Sequence, residues 1–216
     1  MQKHTSRIKN SASLDASKGN TLFNSPVVQN NVSWYLTGEI GEESEYLNEI
    51  HTMRSLEEGD RMTIYLNNTG GLLSGAIGII QAMHESKAEI VVVITGECHS
   101  AASMIALSAP AVQVEKFACM MLHDAQGGCS GTLSNNKISA DFNRRYVEKI
   151  MRSTYAGFIS EEEMQRLLLG AEIWLDAEEI EQRLLQRLEM QEALQEAEDA
   201  KNAVVGAEDT DEWIIE

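Results

Sequence analysis

Residues 90–104 read Ile90-Val91-Val92-Val93-Ile94-Thr95-Gly96-Glu97-Cys98-His99-Ser100-Ala101-Ala102-Ser103-Met104. The apolar run Ile90–Ile94 has no polar alternation, which suits a strand buried on both faces, as in a parallel sheet. A turn carrying Gly96 follows, and the spacing predicts a short helix that begins near Ala102 and stops before Pro110, because the residue ahead of a proline is pushed out of the helical region.

Outward from this stretch the same alternation of elements repeats. On the N-terminal side, Val32–Ile40 reads as a strand ending at Gly41. Residues 42–58 read as an amphipathic helix with Tyr46, Leu47, Ile50 and Met53 on one face. Arg61–Leu66 alternates Met62, Ile64 and Leu66 at strand spacing, and Asn67-Asn68-Thr69-Gly70-Gly71 then breaks the chain. Leu72–Glu85 has Leu73, Ile77, Ile80 and Met83 at helical spacing. On the C-terminal side, Phe117–Leu122 reads as another buried strand. Strands joined by helices in this order predict an α/β domain of parallel strands with crossover helices. Sites in such units lie beyond the carboxyl ends of the strands, and Asn67, the Gly96–Ser103 turn and His123 all fall there.

From about Asn136 the pattern turns helical, with a stripe of Ile138, Phe142, Tyr146, Ile150 and Met151 up to Tyr155. Ser160 with Glu163 forms a capping-box pattern, and Gly170 ends the helix it starts. Asp176 with Glu179 marks a further helix start, and Ile180–Leu188 continues it.

Bulk composition narrows the functions. With 216 residues and 43% apolar content, the chain supports one sizeable core with extensions. We expect a polar N-terminal arm over 1–31, a core domain over 32–188 and an acidic tail over 189–216. The net charge is −17, of which the tail carries −9, with ten acids against Lys201. Nucleic-acid binding requires a basic face, so a nucleic-acid partner is not expected. No run of 18 apolar residues marks a membrane span, and the N-terminus lacks the apolar core of a secretory signal. Cys98, Cys119 and Cys129 form neither a disulfide framework nor a zinc-site spacing, and a reducing cytoplasm is the simple expectation. No metal or cofactor is expected. The tail reads as a solvated extension, although Trp213-Ile214-Ile215 would also suit docking.

A serine at a strand-to-helix turn projects its Oγ from the sheet edge, with backbone N–H groups nearby to hold an oxyanion. Ser103 stands in such a turn, with small Ala101 and Ala102 beside it, and Ser100 has the same claim by composition; either could instead be a helix N-cap. His123 follows an apolar strand and precedes Asp124 and Gly127-Gly128. A histidine at a strand end can equally be structural. His4 lies in the polar arm, His51 and His84 lie on helices away from the strand ends, and His99, in the serine turn itself, is a weaker candidate for a base reaching across the site.

Four segments, in order, resemble the motifs of ClpP-type serine peptidases. Tyr65-Leu-Asn-Asn-Thr-Gly-Gly71 is similar to that family's Tyr-Ile-Asn-Ser-Pro-Gly-Gly. Ser100-Ala-Ala-Ser103-Met104 resembles its Ala-Ala-Ser-Met, Met121-Leu-His123 with Gly127-Gly128 its Met-Ile-His and Gly-Gly, and Leu175-Asp-Ala-Glu-Glu179 its Met-Ser-Ala-Glu-Glu. The likeness covers roughly residues 33–185, and the serine segment looks most like ClpP-like proteases of bacteriophages. It implies a ClpP/crotonase-like superhelix of βαβ units, with the 136–155 helix as a protruding handle. It also implies Ser103 as nucleophile, His123 as general base, the N–H groups of Gly71 and Met104 as oxyanion hole, and Gly127-Gly128 opening a substrate-lining strand. The family's acid maps onto Glu172 rather than an aspartate; Asp176 is its rival, weakened by the capping pattern. The closing Tyr-Gly-Leu-Ile-Asp of the family is missing, His99 stands where glycine is common, and Asn68-Thr69 replaces Ser-Pro.

The resemblance therefore implies a serine endopeptidase working through an acyl-enzyme in stacked homo-oligomeric rings. An AAA+ unfoldase ATPase would feed it protein substrates in the cytoplasm (the host's, if phage-encoded), or it would process capsid and scaffold proteins. The glutamate substitution motivates the alternative of a catalytically silent ring subunit. A crotonase-type acyl-CoA enzyme would leave Ser103 and His123 without a joint role.

Overall fold

The computed structural model describes residues 29–128 and 130–208. The expected arm lies almost wholly outside the described residues, as do Cys129 and Trp213-Ile214-Ile215. Strand β1 (Asn31–Ile40) leads through a 3-10 turn (Glu43–Tyr46) into helix α1 (Leu47–Ser55). Strand β2 (Arg61–Gly71), helix α2 (Leu73–Glu85), strand β3 (Glu89–His99) and helix α3 (Ala101–Ser108) follow. Strands β4 (Ala111–Val114) and β5 (Cys119–Leu122) come next, then helices α4 (Leu133–Tyr155) and α5 (Glu161–Leu168), strand β6 (Ile173–Asp176) and helix α6 (Ala177–Glu208).

The six strands form one sheet in the order β1-β2-β3-β5-β6, with β4 also paired to β3. All pairings are parallel except β5 with β6. This is the α/β architecture the sequence pattern implies, and it is consistent with the ClpP fold. Ile90 to Ile94 are all buried, as expected of a strand covered on both faces. Ile64, Leu66, Ile79, Ile94, Ile105 and Met120 are fully buried in the same cluster, and each such side chain contributes about 1.5–3 kcal/mol.

Three differences from the sequence reading bear on the site. Asn67–Gly71 does not end β2: Ile40 still pairs with Gly71 after a bulge in the register. Strand β3 runs five residues past Ile94, through Gly96 to His99, and carries two partners on one edge, β4 along Val91–Ile94 and β5 along Glu97–His99. The 117–122 stretch is shorter than expected, with Ala111–Val114 forming a separate strand before it, and β6 is an additional strand.

Local chemistry explains the helix ends. The Ser160 hydroxyl accepts from Glu163 N–H at 3.1 Å and the Glu163 carboxylate from Ser160 N–H at 2.9 Å. Asp176 and Glu179 exchange the same pair of bonds at 2.9 and 3.1 Å. Arg183 of α6 donates to Glu163 at 2.7 and 3.0 Å, tying α6 to the start of α5. Helix α6 then runs 32 residues, crossing the boundary expected at 189 without a break. No helix among the described residues is long and apolar enough to cross a membrane.

Candidate active site

The β3–β5 pairing decides which side chains meet. His99 pairs with Met121, and one residue on, Ser100 N–H donates to the Met121 carbonyl at 2.8 Å. This bond docks the serine turn on β5 two residues before His123. Ser100 has φ 54° and ψ −123°, the one non-glycine residue with positive φ among those described. Such a conformation costs of order 1–3 kcal/mol and survives only where the surroundings enforce it. It occupies the N-cap position of α3, yet its side chain makes no capping bond. Its Oγ lies 2.6 Å from His123 Nε2 instead. With the imidazole proton on Nδ1, Nε2 accepts the Ser100 hydroxyl proton.

Ser103 sits elsewhere. It is fully buried inside α3, its Oγ donating to the Ser100 carbonyl at 2.6 Å and lying 3.0 Å from the Tyr155 hydroxyl of α4. Burial pushes the Tyr155 hydroxyl well above the ordinary tyrosine range, so it stays neutral there. Ser103 therefore pins α3 to α4 and does not meet His123. The structure brings Ser100, rather than the expected Ser103, to His123. A turn serine must stand ahead of the helix to project from it. The strong helix formers Ala101 and Ala102 start α3 immediately after Ser100, and that was the available signal.

The glycine pair of β2 packs against this turn. Gly70 has φ +91°, and a Cβ there would sit 2.6 Å from the His99 carbonyl oxygen and 2.7 Å from Ser100 Cβ. Gly71 is also at positive φ, pressed against the Ile40 backbone. Asn67 Oδ1 accepts from Glu97 N–H at 2.9 Å, and buried Asn68 Oδ1 from Gly70 N–H at 2.8 Å. Asn67 thus ties the bulged end of β2 to β3 and Asn68 braces the bulge from within β2, roles the sequence reading missed. The Met104 N–H expected in the oxyanion hole is taken by the Ser100 carbonyl at 3.4 Å. Ala101, the first residue of α3, has an N–H with no partner inside the helix.

On the far side, β5 and β6 pair Leu122 with Ile173. The ladder ends at that pair, and His123 and Glu172 are each the next residue beyond it. Glu172 Oε2 accepts from Trp174 Nε1 at 2.9 Å. Asp176 is occupied in the α6 cap, and Asp124 accepts from Ala125 N–H at 2.8 Å. Neither Glu172 nor Asp176 hydrogen-bonds His123. Trp174 also meets His99 edge-on, 5.2 Å between ring centroids, and His99 Nε2 lies 3.5 Å from Cys119 Sγ. Burial, then the charge of Glu97, pushes the Cys119 thiol up, so it is a poor nucleophile.

Gly127 and Gly128 are exposed and belong to no strand. With Asp124 and Gln126 they line a cleft of about 910 Å³ closed by Leu73 and Ile77 of α2 and Arg144 of α4. Among the described residues, no group of three or more His, Cys, Asp or Glu side chains could hold a metal ion.

Two relatives, both ATP-dependent Clp protease proteolytic subunits from strains of Bacteroides fragilis, are each 25% identical over 103 residues. These cover 47% of this chain and 48% and 45% of the relatives, so the chain spans about half the length of the curated relatives it matches. The family model described as Clp protease matches residues 26–185, which takes in every strand and the whole serine, histidine and glycine constellation. This chain belongs to the Clp protease family.

Proposed function

We propose that this chain is a serine endopeptidase with Ser100 as nucleophile and His123 as general base. The observation that carries the reading is the 2.6 Å contact between Ser100 Oγ and His123 Nε2 at a strained strand-to-helix turn. A serine in this conformation presents its hydroxyl outward. Ser100 Oγ attacks the scissile carbonyl while His123 takes its proton. The tetrahedral oxyanion is held by the N–H groups of Ala101 and Gly71. His123 then protonates the leaving amine, and water resolves the acyl-enzyme through the same base.

Glu172 is the acid we assign to His123 Nδ1. Its position one residue beyond the β5–β6 ladder, next to where His123 leaves β5, supports this, and Trp174 engages only one of its two carboxylate oxygens. Substrate lies extended along the cleft at Gly127-Gly128, bound by main-chain bonds with little sequence preference. The exposed stripe of Ile138, Phe142 and Tyr146 along α4 supports its role as the handle between stacked rings. Folded substrates then require an unfoldase of the AAA+ class.

The test is labelling with a fluorophosphonate followed by mass mapping of the modified peptide. We expect the adduct on Ser100, abolished in Ser100→Ala. An adduct on Ser103, or none on folded protein, would sink the assignment. Sedimentation should show a particle far above the 23.9 kDa of one chain, whereas a stable monomer would remove the handle.

A further inference from the structure

A second cavity, remote from Ser100, lies between α2, the end of α3, α4 and α6 and encloses about 930 Å³. Its walls are apolar, with Ile77, Ile80, Val112, Ile150, Leu184 and Leu188. Its charged lining is one-sided. Lys149 and Arg187 face it together with His84, and among the described residues no aspartate or glutamate lines it, in a chain whose net charge is −17. Arg187 donates from Nη1 to the Leu107 carbonyl at 2.8 Å, while its Nε is buried with no partner. Among the described residues neither Lys149 nor Arg187 has a carboxylate within ion-pair distance. Burial with no compensating acid lowers the Arg187 pKa, so a carboxylate arriving there meets an uncompensated cation.

An apolar cavity with a cationic rim calls for an acidic segment that also carries large apolar side chains. Residues 209–216, Asp-Thr-Asp-Glu-Trp-Ile-Ile-Glu, combine Asp209, Asp211, Glu212 and Glu216 with Trp213-Ile214-Ile215. Reach determines whose cavity it enters. Gln191 is the last cavity residue on α6, which continues to Glu208. That stretch carries the chain about 26 Å away at 1.5 Å per residue. Trp213 follows Glu208 by five residues, and so returns at most about 18 Å when fully extended. The chain's own cavity is thus out of range for Trp213.

We propose that the 209–216 segment of one copy docks in the α2–α3–α4–α6 cavity of another. Trp213-Ile214-Ile215 fill the apolar walls, and the neighbouring carboxylates meet Lys149 and Arg187. The long α6 then acts as an arm linking copies, separately from the handle.

The test uses the full chain with benzoylphenylalanine at position 214, in a mixture of heavy- and light-isotope protein. Photocrosslinks should join heavy to light chains and fall within residues 77–84, 107–112 or 184–191. Lys149→Glu, a change at an exposed helical position, should lower the yield about tenfold, and Asp211→Lys with Glu212→Lys should restore it in that background. Crosslinks confined to one chain, crosslinks mapping elsewhere, no crosslinks, or a yield indifferent to Lys149→Glu would each overturn the proposal.

Discussion

Ser100 and Ser103 are the same residue type three positions apart, and the fold gives them opposite tasks. Ser100 is half-buried, strained and uncapped, with its hydroxyl on a histidine from the neighbouring strand. Ser103 is fully buried and relaxed in α3, with its hydroxyl shared between a main-chain carbonyl and Tyr155. Residues three apart within a helix share a face. Ser100 escapes that rule because it stands ahead of α3 at positive φ, while Ser103 lies inside the helix at the α3–α4 interface. Under the proposed function, the difference places reactivity at the turn, where the backbone is held out of its preferred conformation, and leaves the buried, satisfied hydroxyl to packing.

The largest effect expected separates the two serines by turnover. Ser100→Ala should lower kcat/KM on a peptide substrate at least about 10³-fold, while Ser103→Ala retains activity within a few-fold. Equal losses would erase the contrast. Next comes the acid. Glu172→Gln should cost about 10²-fold in turnover, because an unheld imidazole loses its tautomer, and Asp176→Asn should act mainly on helix stability. The reverse order would move the acid to Asp176.

The contrast then inverts when stability is read instead. Ser103→Ala leaves the buried Tyr155 hydroxyl short of a partner and should cost about 1–3 kcal/mol in urea unfolding. Ser100→Gly removes a side chain from a positive-φ position and should raise stability by about 1 kcal/mol, an inactive but firmer protein. If Ser100→Gly destabilises, the strain argument fails. Smallest is a pH effect away from both serines. Arg183, the strongest influence, holds the Glu163 carboxyl down at about 2, against an ordinary value of 4.5. A depressed carboxyl stabilises the fold above its unfolded pKa. That contribution should fall away as pH drops from about 4.5 through about 2, and acid titration of Glu163→Gln should lack this phase. An unchanged acid transition in the variant would remove Glu163–Arg183 from the account.

Much of the scaffold was legible in local patterns. The uninterrupted Ile90–Ile94 run announced a two-sided strand, and the Ser160–Glu163 and Asp176–Glu179 pairs announced helix starts, because capping is chemistry within four residues. The placing of His123 at a strand end followed from the same alternation of elements. Less legible was the end of β3. Thr95–His99 has polar residues and a glycine, so periodicity stopped the strand at Ile94, whereas pairing with β5 carries it on to His99. Those five residues move the start of α3 against the sheet edge and exchange one serine for the other. Strand β6 was missed for a similar reason: four residues that alternate exposed and buried owe their strand form to β5. The clamp made by Asn67 and Asn68 joins residues about 30 apart or sits within a bulge, and neither leaves a periodic trace.

From its sequence alone this protein is an α/β chain with parallel strands, capped helices, an acidic C-terminal segment and serine and histidine candidates at the carboxyl ends of its strands. Those features rest on propensity, periodicity and short-range capping, all local in the chain. Only the tertiary structure brings Ser100 rather than Ser103 to His123, bonds the Met104 N–H to the Ser100 carbonyl, adds β6 beside β5 and joins Lys149 and Arg187 in one cavity. Apart from the Met104 bond, each of these depends on hydrogen bonds or packing between segments far apart in sequence, whose energies are realised only when the sheet has closed.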